Sequence, residues 1–345
     1  MWAIDNQTPF AVERTFVRDK DGSEIWLVAV RATFDLSPDG RLRIAKEQNP
    51  VAQFPEYMED PASSPLKWES DLPRTKKGTD VLVLGNAWVP SDQREATEIE
   101  VGLRVASINK VLRVTGEQVW QPGAADVLSP SPPKRFRSIP IGYDRAFGGK
   151  PTQNLPQPFH IHSQRNPIGV GLVPAAGERL PNIHHVAGHP LRPSTSLPVA
   201  GFGPIACHWT PRRELAGTYD DQWAKQRKPL VPLDFDDAYF QSAPADQVVN
   251  GFLRGGESVE LTHLTPDGTL SFQLPRYSFG FRTSIASGVE YHRGNLHTVI
   301  IEPDSQRLTM VWHTAFPCHH TLYTLTRTIV YVKQEKLAQV REAAI

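Results

Sequence analysis

Proline is the residue that most constrains how this chain can fold. The sequence contains 31 prolines among 345 residues, nearly twice the average share of about 5 %. Because proline lacks a backbone N–H and blocks the interior of a helix, the composition disfavours a mainly helical protein. Fourteen of these prolines lie between Pro151 and Pro244, which predicts extended loops in the middle of the chain.

Both ends of the chain show the alternation of β-strands. In the segment 24–36, every second residue from Trp26 to Leu36 is apolar, which is the period of a half-buried strand. Hairpin turns are predicted at 265–268 and 303–306, where proline, aspartate and glycine or serine separate two strand-like runs. We therefore expect a mainly β protein with two sheet-rich regions that are sandwich or barrel-like.

The pattern divides the chain into three ranges. Residues 1–140 form an N-terminal β region, 141–250 a connecting region rich in proline, glycine and aromatic residues, and 251–345 a C-terminal β region that ends in a short helix. The connecting region should hold one or two short helices near Pro211, because Gly217 interrupts the helical pattern there. Whether the two sheet regions share a core stays open, since a chain of this length permits either.

The charge and the cysteine content of the chain disfavour several classes of protein. Lys and Arg together number 37, as do Asp and Glu, and this neutrality disfavours binding to nucleic acid through its phosphates or to an anionic membrane surface. No secretory signal is recognisable at the start, and the longest strongly apolar run, at 25–30, is far shorter than a membrane helix. Two distant cysteines predict no disulfide framework. These features predict a cytoplasmic protein.

Histidines give the first enzymatic hypothesis. Six of the twelve lie between His160 and His208, and His160 and His162 would face the same side of a strand, as a pair of zinc ligands does. A third ligand could come from His184, His185, His189, His319 or His320. No carboxylate follows at a matching spacing, and neither a nucleophile elbow nor a phosphate loop is present. We expect no catalytic residue and no cofactor, and keep a metal-dependent hydrolase as the alternative.

Glycine next to aromatic residues is the most distinctive pattern of the middle region. Glycine permits backbone conformations that other residues avoid, and a neighbouring ring can cover that backbone. One interpretation is a scaffold that buries these rings. The other is a rigid surface that binds a partner protein, for which the candidate residues are Tyr143, Arg145, Phe147, Phe202, Trp209, Arg213, Tyr219 and Trp223.

These segments resemble the domain-of-unknown-function family 2169. The resemblance is carried by 143–149 (YDRAFGG), 166–171 (NPIGVG), 201–204 (GFGP), 213–220 (RELAGTYD), 229–236 (PLVPLDFD), 243–247 (APADQ) and 255–257 (GGE). Weaker similarity extends over nearly the whole chain. His184 departs from the family, in which an acidic residue is expected after Leu-Pro-Asn-Ile.

The resemblance implies an accessory protein of bacterial type VI secretion. Members of the family are similar to adaptors or chaperones that load a toxic effector onto the spike, through its PAAR-repeat tip or its valine-glycine-repeat trimer. A structural subunit that is exported with the spike is a further alternative. We expect the effector to bind through strand edges and aromatic anchors. Replacement of Trp209 or Phe202 would then abolish binding and leave the fold intact.

Overall fold

The chain folds into β-sheets joined by long irregular segments. The computed structural model describes residues 2–124, 127–150, 162–187, 197–318 and 322–333. The helix predicted over 333–344 therefore lies almost wholly outside the described residues. In the described part, the prediction of a mainly β protein is confirmed, and no helix there has both the length and the apolar character needed to cross a membrane.

The strands are short apart from two long ones at the centre of the fold. In chain order they are β1 (Ala3–Gln7), β2 (Ala11–Arg18), β3 (Glu24–Leu36), β4 (Leu42–Ile44), β5 (Glu56–Tyr57), β6 (Leu66–Trp68), β7 (Gly78–Val83), β8 (Asn86–Trp88), β9 (Glu98–Val105), β10 (Ile108–Thr115), β11 (Trp120–Pro122), β12 (Leu128–Pro130), β13 (Ser138–Pro140), β14 (Phe147–Gly148), β15 (Val170–Gly171), β16 (Ile183–His185), β17 (Val248–Asn250), β18 (Ser258–Thr262), β19 (Thr269–Gln273), β20 (Phe279–Ile285), β21 (Gly288–Arg293), β22 (Asn295–Glu302), β23 (Arg307–Pro317) and β24 (Arg327–Val332).

Helices are few and short. The α-helix α1 spans Asp221–Gln226, and the Asp220 side chain accepts a hydrogen bond from the Trp223 backbone N–H at its start. Gly217, with φ of 81°, ends the preceding 3-10 helix, so the predicted interruption at this glycine is confirmed. The 3-10 helices are Tyr143–Arg145, Arg212–Ala216, Asp237–Phe240, Ala245–Gln247 and Leu322–Thr324.

The largest sheet has seven strands, and β3 lies between β23 and the edge strand β2. Its order is β17-β7-β22-β23-β3-β2, and β4 adds to β3. The predicted strand at 24–36 is confirmed, but Leu27, Ala29 and Arg31 on its second face are buried as well. Both faces are covered, because Trp26 on one face bonds to Thr328 and Arg31 on the other pairs with Asp71 at 2.7 Å, and both partners lie outside this sheet.

A second sheet packs face to face on the first. It has the order β1-β24-β20-β21. The Trp26 indole N–H donates to the Thr328 hydroxyl at 3.0 Å across the interface. The rings of Phe279 and Trp312 meet at 5.0 Å. This arrangement is a β-sandwich, with aromatic side chains filling its interior.

The third sheet has five strands in the order β16-β10-β9-β18-β19. Strands β9 and β10 form a hairpin. The turn lies at 106–107, where Ala106 has φ of 50°, and Lys110 belongs to β10. The alternation of β10 buries Ile108, Lys110 and Leu112 on the same face. A lysine therefore occupies a buried position at which an apolar residue is expected.

The sheets do not follow the division of the chain at residues 140 and 251. The seven-stranded sheet combines β3 and β7 from the first range with β22 and β23 from the last, and the five-stranded sheet does the same with β9 and β18. Val30, Leu103 and Phe281, each from a different sheet, belong to one continuous apolar cluster. The question left open by the sequence is thereby answered: the two ends of the chain share a core. Between β4 and β7, the segment 45–77 contains only the small β5–β6 hairpin.

Candidate functional site

The glycine-aromatic segments of the middle region meet in one buried cluster. Tyr143 donates its hydroxyl hydrogen to the Gly203 carbonyl at 3.2 Å, and its ring contacts that of Trp209 edge-on at 5.8 Å. A side chain at Gly201 would lie 2.6 Å from the Tyr143 ring, so only glycine fits there. We call Tyr143, Asn166, Gly201, Gly203 and Trp209 the motif core.

Asn166 fixes the backbone of the motif core. Its side-chain amide is fully buried and donates to the carbonyls of Tyr143 at 2.8 Å and Phe147 at 3.1 Å. Strand β14 then pairs in parallel with β15 through Phe147 and Val170. One asparagine thus supplies hydrogen bonds that a longer sheet ladder would otherwise provide.

A buried lysine ties the motif core to the five-stranded sheet. Lys110 Nζ donates to the Gly201 carbonyl at 2.7 Å, to Asp246 Oδ1 at 2.9 Å and to Gln247 Oε1 at 2.7 Å. Burial lowers the pKa of Lys110, and the charge of Asp246 opposes that change. Because an ammonium group has three hydrogens and all three find acceptors, Lys110 has a structural role.

A segment of irregular chain, residues 211–242, lies on the surface, and we call it the arm. Its buried anchor is Arg212, which donates through Nε to the Tyr239 carbonyl at 2.9 Å. The same guanidinium donates through Nη1 to the Ile205 carbonyl at 2.6 Å and to Glu69 Oε2 at 2.7 Å. The arm is therefore tied internally through Tyr239 and to the body through Glu69.

The end of the arm is tied to β7 by a second polar group. Asp80, fully buried, accepts a hydrogen bond from Lys76 Nζ at 2.6 Å. Its carboxylate also accepts from the Gln241 amide at 2.6 Å and from the Ser242 backbone N–H at 2.9 Å. Lys77 adds an exposed ion pair with Asp236 at 2.6 Å.

Four of the predicted binding residues are buried. Tyr143, Phe147, Phe202 and Trp209 are each exposed by less than a tenth of their surface, and burial raises the pKa of Tyr143. The expectation that Trp209 or Phe202 can be replaced without effect on the fold does not fit this burial, because removing a buried aromatic ring leaves a cavity.

The other four predicted residues lie nearer to solvent. Arg145 is half-buried and donates to Asn182 Oδ1 at 3.4 Å. Arg213, Tyr219 and Trp223 all lie on the arm, where Arg213 is exposed and Tyr219 is 53 % exposed. The Trp223 indole N–H donates to the Leu230 carbonyl at 2.8 Å, and its ring lies 4.6 Å from that of Tyr219. The contact of these residues with a partner stays a prediction.

The histidine pair proposed as a metal site lies only partly within the described residues. His160 lies outside the described residues, and His162 is exposed. His184 is 3.0 Å from the Thr115 hydroxyl, and burial lowers its pKa to about 4. Among the described residues there is no group of three or more His, Cys, Asp or Glu side chains that could hold a metal ion.

Sequence reasoning missed the polar residues that organise the site. Asn166 and Gln247 lie inside the segments that carry the family resemblance, but only the glycines and aromatic residues there were considered. An asparagine before Pro-Ile-Gly is a recognisable signal, because asparagine stabilises turns through its side chain. Lys110 and Arg212 gave no such signal, since a charged residue in a short strand or turn is usually exposed.

The chain can also be compared with known protein families, curated proteins and solved structures. A family profile described as "Uncharacterized protein conserved in bacteria (DUF2169)" matches residues 21–313. No curated protein and no solved structure matches the chain. The matched range includes all the segments on which the resemblance was based. The chain belongs to this bacterial family, DUF2169.

Proposed function

We propose that the chain is a non-enzymatic adaptor of type VI secretion, which binds a toxic effector and helps load it onto the PAAR-tipped spike. The observation that supports the binding role is that the predicted binding residues fall into a buried group and a group on the arm. Four aromatic side chains are buried, whereas Arg213, Tyr219 and Trp223 lie together on one tethered arm. The type VI pathway is implied by the resemblance of the motifs to other members of the family.

The arm suits a binding role because it is held in place before any partner arrives. Arg212 and Asp80 fix its two ends. Arg227 donates to the Lys20 carbonyl at 2.5 Å and so holds α1 on the turn between β2 and β3. A surface that is already ordered loses little conformational entropy on binding. Tyrosine and tryptophan offer a large contact area with few rotatable bonds.

Two other functions, an exported spike subunit and a metal-dependent hydrolase, are the alternatives to this adaptor. The adaptor would act in the cytoplasm, before the loaded spike is exported, and would need no cofactor. A subunit that stays on the spike would instead leave the cell with it. A metal-dependent hydrolase gains no support from His162, which is exposed and has no ligand cluster around it among the described residues.

Secretion by the bacterium that encodes the chain tests the proposal. The gene is deleted without affecting its neighbours, and the proteins in the medium are compared by quantitative mass spectrometry. We expect one effector to disappear while the PAAR and valine-glycine-repeat proteins are still exported. Unchanged secretion of every effector would contradict the proposal. Recovery of the chain itself from the medium in amounts matching the spike would favour the exported subunit.

Complementation of the deletion strain tests the arm. A gene carrying Tyr219→Ala together with Arg213→Glu should restore little secretion of the effector, although the variant accumulates at the normal level. The matched control is Tyr291→Ala on β21, which removes a tyrosine that is 68 % exposed but lies outside the arm. Full restoration by the arm variant would show that the partner binds elsewhere.

A further inference from the structure

A second surface feature is bordered by Tyr143. It is an open cleft of about 310 Å³, and its floor includes Val83, Leu84 and Gly85. One wall is the loop between β5 and β6, and the other is the segment 140–144. The lining is mainly apolar, as in most sites that receive a ligand or a side chain.

Both walls of the cleft are held by hydrogen bonds. In the first wall, the Met58 N–H donates to the Pro65 carbonyl at 3.0 Å, and the Glu59 N–H donates to the Ser64 hydroxyl at 2.9 Å. In the second wall, the Ile141 N–H donates to the Gly85 carbonyl at 3.0 Å. The cleft is thus formed in the free protein, and a ligand would not need to open it.

The charge at the cleft is of one sign. Glu59 and Asp144 line it, whereas no lysine, arginine or histidine does. Neither carboxylate forms an ion pair with a described residue, although the whole chain carries equal numbers of acidic and basic residues. Two carboxylates without counter-ions beside an apolar floor create a local negative potential, which attracts a positively charged ligand.

We propose that this cleft binds an extended segment of the effector in which an apolar side chain lies beside lysine or arginine. The apolar side chain would occupy the floor near Leu84, and the cation would lie between Glu59 and Asp144. An anchor in a preformed pocket, bordered by polar contacts, is the usual form of a binding hot spot. The inference rests on the proposed function, because that function supplies the partner protein.

A library of random twelve-residue peptides displayed on phage tests the chemistry, with the full chain as bait. We expect the selected peptides to place Lys or Arg next to an aliphatic or aromatic residue. One selected peptide, synthesised with a fluorescent label, then gives the dissociation constant. Replacing its apolar anchor by alanine should weaken binding by roughly tenfold or more. Selection of acidic peptides, or of none, would overturn the proposal.

Two variants of the protein locate the binding site. Ser63→Trp places a large ring on the exposed loop that borders the cleft and should abolish peptide binding. Glu59→Lys with Asp144→Lys reverses both charges and should weaken binding by roughly threefold for each carboxylate replaced, and by more at low salt. The control, Asp92→Lys with Glu95→Lys, makes the same change in net charge at exposed residues outside the cleft. Equal affinity in all variants would overturn the proposal.

The secretion assay separates this inference from the function on which it rests. If deletion of the gene abolishes effector export and the Glu59→Lys, Asp144→Lys variant restores it fully, the adaptor role stands and the cleft proposal fails. If deletion leaves export unchanged while the Ser63→Trp change abolishes peptide binding, the adaptor role fails, and the cleft binds a segment of the proposed chemistry from a partner other than the effector.

Discussion

The sheets and the middle region of this protein are stabilised in different ways. In the sheets, β3 pairs along its length with β2 and β23 and buries apolar side chains such as Trp26. In the middle region, side chains of Asn166, Lys110 and Arg212 bind backbone carbonyls instead. A segment rich in proline and glycine can therefore be ordered when buried polar side chains replace the hydrogen bonds of a sheet ladder.

The largest expected effect is at the junction between the two regions. Replacing Asp80 by alanine would leave the Lys76 ammonium buried without its counter-ion and would free Gln241 and Ser242 of the arm. Breaking a buried ion pair in this way costs about 3–5 kcal/mol. Urea unfolding followed by tryptophan fluorescence should show a loss of this size in the free energy of unfolding.

A neighbouring ion pair provides the control for Asp80. Asp236 pairs with Lys77 and joins the same two segments, but both side chains are about half exposed. Replacing Lys77 by alanine removes this pair but keeps the hydrogen bond of Asp236 to the Ala238 N–H, and it should cost no more than about 1 kcal/mol, as for other exposed pairs. A loss as large as that of Asp80→Ala would mean that the number of ties, and not their burial, holds the arm.

The second effect concerns the motif core alone. Asn166→Ala removes the two buried hydrogen bonds to the carbonyls of Tyr143 and Phe147, and only the Tyr143 carbonyl keeps a described donor, the Ala146 N–H at 3.1 Å. We expect a loss of about 2–3 kcal/mol in the free energy of unfolding. Asn109→Ala, on the exposed face of β10, should change it by less than about 0.5 kcal/mol. Equal effects would show that the backbone of the middle region does not depend on its side chains.

The third prediction uses pH to probe the sheets. Burial, with a smaller effect of Lys76, lowers the pKa of His313 to about 3, whereas an unfolded histidine titrates near 6.5. Below pH 6.5 the unfolded chain takes up a proton that the folded chain does not. The free energy of unfolding should therefore fall by up to about 1.4 kcal/mol per pH unit from this group as the pH drops from 6.5 to 5.

His313→Gln isolates this contribution. The free energy of unfolding of the variant and of the natural chain is measured by urea titration between pH 7.5 and 5. Its slope against pH should differ between the two proteins by the equivalent of about one bound proton. The carboxylates are the same in both proteins, so their contribution to the pH dependence cancels when the two free energies of unfolding are subtracted. His162→Gln, which changes an exposed histidine, should leave the slope as it was. Parallel curves for His313→Gln and the natural chain would contradict the burial of this side chain.

The comparison also explains which parts of the fold could be predicted. β3 was predicted to the residue because alternation and turn residues act within a few positions of each other. The pairing of β7 with β22 in one sheet could not be predicted, since it joins residues more than 200 positions apart. The burial of Lys110 could not be predicted either, because its acceptors, Gly201 and Gln247, are distant in sequence.

The sequence predicted which segments form the candidate site, but it did not predict which of their residues are buried and which are exposed. The glycine-aromatic segments were expected to act together, and Tyr143, Gly201 and Trp209 do meet. Burial could not be read from them, because an aromatic residue beside glycine suits a core and a binding surface equally well. Distinguishing Trp209, which is 1 % exposed, from Tyr219 on the arm required the packing of the whole chain.

The smallest expected effect is at the outer face of the arm. The Tyr219 ring packs on Trp223, and its replacement by alanine should lower the free energy of unfolding by less than about 1 kcal/mol. Phe235→Ala is the matched change at the inner face, where the ring is buried beneath Arg74 and its loss should cost about 3 kcal/mol. Equal losses would make Tyr219 part of the scaffold. A small loss, combined with failure to export the effector, would mean that this exposed ring serves binding and not stability.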